Sequence, residues 1–108
     1  MQQDPKLNER GMTELHLAAY YGELDWVENC LAGGLNVDVR DHGGYTPLHW
    51  AADMGLVNGD REAIVATLIQ AGADVNARDR AGRTVLTVAE AVGNADIVRQ
   101  LLASGAQH

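Results

Sequence analysis

Thr46-Pro47-Leu48-His49-Trp50-Ala51-Ala52 and, one helix further on, Gly72-Ala73-Asp74-Val75-Asn76-Ala77-Arg78-Asp79 decide the fold. A threonine suits a helix N-cap and the proline after it suits the first helical position, whose amide has no partner in the helix anyway. The helix that opens there is expected to run to Met54, with Gly55 in the left-handed turn that ends it. Working outward, the same register recurs on both sides. TELHLAAYYG starts at Thr13 and TVLTVAEAVG at Thr84, each threonine standing two residues after a glycine, at Gly11, Gly44 and Gly82. A second shared segment follows in each case, LDWVENCLAGG, EAIVATLIQAG and ADIVRQLLASG, closing on Gly34, Gly72 and Gly105.

The chain therefore divides into a lead-in over residues 1–7 and three units, residues 8–40, 41–78 and 79–108. The step from Gly11 to Gly44 is 33 residues and that from Gly44 to Gly82 is 38. The extra five fall near residues 56–61, between elements, where added length costs little. Each unit reads as a turn, a helix, a second turn, a second helix and a hairpin-like connector. In the second helices Val27, Cys30 and Leu31, or Val65, Leu68 and Ile69, or Val98, Leu101 and Leu102, recur at the spacing of one buried stripe. Two short helices cannot bury such a stripe alone, whereas stacked pairs can.

TPLHWAA and GADVNARD, with this glycine spacing, resemble the ankyrin repeat. The resemblance covers everything after about Leu7 and implies an all-α solenoid of three helix-turn-helix units with short hairpin-like connectors. It implies protein recognition as the function and no particular partner. Glu14 stands where the family usually has proline, and the tail LNVDVR replaces ADVNAR. In the third unit Thr87 takes the histidine position and Glu90 that of a buried alanine. A polar outer face suits a terminal capping repeat, so the array is expected to be complete at three.

His16 and His49, with Asp41, Asp53 and His42, could suggest a metal or acid-base cluster. Both imidazoles occupy the TPLH position, however, where the resemblance implies a hydrogen bond to turn backbone that ties repeats together. They also stand one layer apart, roughly 10 Å for packed helices, too far to share a zinc whose nitrogen ligands lie at about 2.0 to 2.1 Å. No nucleophile elbow, phosphate loop, HExxH or paired-cysteine pattern is present. Cys30, the one cysteine, falls on the apolar stripe and reads as a buried, inert thiol, and Trp26 reads as core. No catalysis and no cofactor are expected.

In ankyrin arrays the turn tips and the open side of the first helix line a concave face. By repeat position that face takes Glu9, Arg10, Met12, Tyr20 and Tyr21, then His42, Tyr45, Asp53 and Met54, then Arg80, Arg83, Ala91 and Val92. Among these Met12, Tyr20, Tyr21, Tyr45, Asp53, Met54 and Arg83 are the candidate partner-binding residues, because tyrosine, methionine and arginine enrich interfaces and the repeat does not require them there. The net charge of −7 argues against nucleic acid and for a protein partner with a basic patch. The amino terminus lacks a signal-like apolar run and no stretch of about 18 apolar residues could span a bilayer. A cytoplasmic monomer that does not engage membranes is expected. Two other functions fit the same composition: a small acidic inhibitor or immunity-type protein that blocks a basic enzyme or toxin, and a metal or hydrolytic site built on the histidines.

Overall fold

Three threonines start the inner helices by the same local chemistry. In the computed structural model, which describes residues 10–53 and 61–108, the side chain of Thr13 accepts from the His16 amide, that of Thr46 from the His49 amide and that of Thr84 from the Thr87 amide. In the first two the histidine completes a capping box: Nδ1 of His16 accepts from the Thr13 amide at 3.0 Å, and Nδ1 of His49 from the Thr46 amide at 3.2 Å. An imidazole thus does what glutamate or glutamine usually does three residues into a helix. The helices so opened are α1 (Glu14–Tyr21), α3 (Pro47–Ala52) and α5 (Val85–Val92). α1 and α5 end on left-handed glycines, Gly22 and Gly93, as the repeat predicts. α3 instead ends at Asp53 in an ordinary right-handed geometry; the expected stop at Met54 and Gly55 lies outside the described residues, as do the lead-in and residues 56–60 of the insertion.

Each inner helix is paired with an outer one: α2 (Leu24–Ala32), α4 (Arg61–Gln70) and α6 (Ala95–Ala103). All three outer helices close identically. The amides of Leu35, Ala73 and Ala106 bond back to the carbonyls of Cys30, Leu68 and Leu101 across the positive-φ residues Gly34, Gly72 and Gly105. Gly72 has φ +97°, a conformation that L side chains rarely adopt, and this explains why the second helix of each unit ends on glycine.

The inner helices stack side by side, α1 on α3 and α3 on α5, and the outer ones likewise, α2 on α4 and α4 on α6. Between the two rows lies one core. Leu15, Leu48 and Leu86 are fully buried at one level, with alanines 18, 19, 51, 52 and 89 giving the close approach that the phenylalanine-free composition suggests. Val27, Ile64, Val65, Leu68, Ile97 and Leu101 fill it from the outer row. The expected stripe is too wide in α6. Leu102 is 52% exposed, because α6 packs mainly on α5 and α4, where Ile97 and Leu101 are covered. Trp26 is half-buried against the core rather than within it.

The connectors form hairpin turns. The Asp41 amide bonds the Tyr45 carbonyl at 3.0 Å and the Asp79 amide the Arg83 carbonyl at 2.9 Å, closing two equivalent hairpins. Successive tips are laced together by bonds from the His42 amide to the Arg10 carbonyl, 2.6 Å, and from the Arg80 amide to the Gly43 carbonyl, 3.0 Å.

Candidate functional site

His16 and His49 are both fully buried, and both ring nitrogens of each are engaged. Because Nδ1 accepts from a backbone amide, the ring proton must sit on Nε2. There it donates to the next unit, from His16 to the Tyr45 carbonyl at 2.9 Å and from His49 to the Arg83 carbonyl at 3.2 Å. Burial pushes both imidazoles below the ordinary histidine range, against smaller opposing effects of those carbonyl bonds and of nearby aspartates. Each ring is thus a neutral strut between repeats. Metal or acid-base use would require breaking the capping box first.

The hairpins turn on buried aspartates. Asp41 Oδ1 accepts from the amides of Gly43 and Tyr45, both at 2.9 Å, and Oδ2 accepts from the Trp50 indole at 2.9 Å. Asp79 repeats the pattern with the amides of Ala81 and Arg83, its second oxygen taking Nε of Arg83 at 2.9 Å. Burial disfavours the Asp79 anion, but these donors and the Arg83 charge outweigh it and hold the carboxyl below its usual range.

Between the hairpin tips and α3 lies an open groove of about 330 Å³, lined by Arg10, Asp41, His42, Gly43, Tyr45, Trp50, Asp53 and Arg83. Tyr45 and Trp50 make its floor, edge to face with centroids 5.0 Å apart. The Arg10 guanidinium lies 5.8 Å over Trp50 and that of Arg83 5.8 Å over Tyr45, both within cation-π range. The Tyr45 hydroxyl donates to Asp53 at 3.0 Å, and burial followed by the Asp53 charge pushes its pKa up to about 12. Tyr20 continues the aromatic row by meeting Trp50 edge-on at 5.3 Å, and Tyr21 stacks on Trp26 at 6.4 Å.

The geometry sorts the candidates drawn from the sequence. Tyr45, Asp53 and Arg83 line the groove together, Tyr20 flanks it through Trp50, and Tyr21 is 44% exposed beside Tyr20. Met12 is turned inward and belongs to the core, 7% exposed. Tyr45 is itself 9% exposed, so it offers the groove a ring face rather than a projecting side chain. Met54 lies outside the described residues. Asp41, Gly43 and Trp50 line the groove although the sequence reading did not place them on the concave face, and Trp50 is the one that supplies its floor. The signal for Trp50 was available: an indole stands where the first and third units have Leu17 and Val88, and an indole needs an acceptor as well as a hydrophobic bed.

A family profile described as ankyrin repeats in three copies matches residues 1–79. Neurogenic locus notch homolog protein 1 of Xenopus tropicalis is 34% identical over 89% of this chain, which corresponds to 5% of that protein. NF-kappa-B inhibitor delta of Mus musculus is 38% identical over 93% of this chain and 30% of its own length. Acyl-CoA-binding domain-containing protein 4 of Oryza sativa subsp. japonica is 41% identical over 47% of this chain and 15% of its own. The chain thus spans less than a third of the length of these relatives. Ankyrin repeats are general protein-interaction modules, and the third helix pair, beyond the matched region, repeats the threonine N-cap and the closing bond of the outer helix. With the profile covering most of the sequence, the chain belongs to the ankyrin-repeat family.

Proposed function

We propose that the chain recognises a protein partner on its concave face, without chemistry of its own, and that the centre of contact is the groove over Tyr45 and Trp50. The observation that carries this reading is the groove's make-up: an aromatic floor bounded by Arg10, Asp53 and Arg83, the mixture of rigid apolar area and oriented charge that binding hot spots use. Tyr20 and Tyr21 extend the contact along α1. The partner carries a basic patch, which the net charge of −7 attracts, and exposed Glu23, Asp25, Glu28, Glu62 and Asp96 put acidic groups along the outer helices. The chain acts as a monomer in the cytoplasm. Among the described residues no helix is long and apolar enough to cross a membrane.

The test immobilises the chain and compares it with Tyr20→Ala, Tyr21→Ala and Asp53→Ala in capture from source lysate at low and high salt. The expected result is one protein retained by the parent chain, less so at high salt, and lost from the tyrosine variants although their melting temperatures hold. A partner retained by every variant, and lost only when residues 56–61 are shortened, would move the site to the other end of the helices.

A further inference from the structure

The groove differs in charge from the molecule that holds it. Five of the seven described arginines, Arg10, Arg40, Arg78, Arg80 and Arg83, lie in the turn segments, beside Asp38, Asp41, Asp74 and Asp79, whereas the outer helices carry the exposed acids Asp25, Glu28, Glu62 and Asp96. Two of the five are occupied with backbone: Arg40 bonds the carbonyls of Arg78 and Gly44, and Arg78 those of Gly82 and His108. Arg10 and Arg83 face the groove. Among the described residues the contact of the Arg10 guanidinium is the face of Trp50, and Arg83 spends Nε on Asp79, which leaves the Nη edge of its fork for a ligand.

The groove's own carboxylates keep their charge, but their acceptor atoms are largely engaged, so they offer an incoming donor little. Asp41 is 7% exposed and has three donors already, and Asp53 is half-buried and accepts from Tyr45. What projects is guanidinium, placed over two neighbouring rings. A guanidinium held there by its ring is placed to receive a planar carboxylate through two parallel hydrogen bonds.

We infer that the groove selects an acidic segment of the partner, with aspartate or glutamate side chains pairing to Arg10 and Arg83 above the Tyr45 and Trp50 rings. This rests on the concave-face reading above and sharpens it: the partner's basic surface answers the outer helices, and the segment that enters the groove is acidic. A carboxylate fits better than a phosphate. Buried Asp41 and half-buried Asp53 repel a dianion more than a monoanion, and a nucleic acid backbone would need many cations rather than two on a chain of net charge −7.

The probe is a library of random peptides displayed on phage, selected on the full immobilised chain, with the winning peptides synthesised for calorimetry. The expected winners are rich in aspartate and glutamate. They bind about tenfold more weakly to Arg10→Ala or Arg83→Ala, recover only in part with lysine at either position, and fail when their acids are replaced by amides. Melting curves of the four variants separate lost contact from lost fold. Winners rich in lysine and arginine, sensitive to Asp53→Asn but not to Arg83→Ala, would overturn the acidic-segment inference and leave the concave-face reading standing. Winners without charge preference, indifferent to both arginines yet lost with Tyr20→Ala, would do the same. Winners indifferent to every groove substitution, or none at all, would sink both. A single-stranded RNA that displaces the acidic peptide and binds more tightly would reassign the groove to polyanions.

Discussion

At the scale of single residues the imidazoles show how one atom's protonation carries structure. Nδ1 of His16 and of His49 must be bare to accept a threonine amide, and Nε2 must be protonated to reach the next unit's carbonyl. Adding a proton to Nδ1 turns an acceptor toward a donor and breaks the cap. The sign of the pH dependence follows. Burial lowers both folded-state pKa values, whereas the unfolded chain protonates near the ordinary value of about 6.5. The histidine contribution is therefore complete above that pH and is lost as pH falls from it toward the depressed folded value, where the unfolded state takes up protons that the native state refuses. Melting temperature should drop across this window, before the Asp79 carboxyl titrates, since it is held below its usual range. A melting temperature constant between pH 7 and 5, or imidazole resonances that titrate normally, would contradict the assigned tautomers. That these histidines are struts was legible in the sequence only through the family motif; their tautomer required the distances.

Elements were more legible than faces. The spaced threonines and glycines marked the helix starts and the glycine stops because capping and left-handed geometry are local demands that few residues satisfy. Which side of a helix is covered depends on neighbours, and periodicity is silent about how far a neighbour reaches. Met12 shows this among the turns. It occupies the position of Tyr45 and Arg83, just before the capping threonine, yet it is buried while Arg83 is exposed. Leu101 and Leu102 show it within one helix, adjacent in sequence and at 0% and 52% exposure. Leu101→Ala should cost about 2 to 5 kcal/mol, as loss of a fully buried leucine does. Leu102→Lys should stay within about 0.5 kcal/mol. Chemical denaturation of both variants checks this, and a large loss for Leu102→Lys would mean that α6 is covered by something beyond α4 and α5.

For the whole molecule the question is how strongly one repeat holds the next, since in a stacked array stability is roughly the sum of unit terms and interface terms. Two glycines at equivalent positions separate these terms. Gly44 and Gly82 have φ of +81° and +80°, so an alanine at either meets the same backbone strain, about 1 to 2 kcal/mol for a left-handed L-residue. Their surroundings differ. A Cβ on Gly82 would meet nothing within 4 Å, whereas one on Gly44 would come within 2.7 Å of the Arg80 amide nitrogen, in the hairpin of the next repeat. That nitrogen donates to the Gly43 carbonyl, one of the bonds lacing the tips together, and neighbouring Arg83 receives the His49 strut. The clash therefore falls on backbone that cannot swing aside. Gly82→Ala should cost only the strain, and Gly44→Ala should cost about 1 to 3 kcal/mol more, as steric overpacking does. Hydrogen exchange should place the added loss in the third repeat, with earlier release of α5 and α6 amides than of those in α1 and α2. Equal losses for the two alanines would mean that the tips do not couple the repeats, and that helix packing alone joins the third pair to the array.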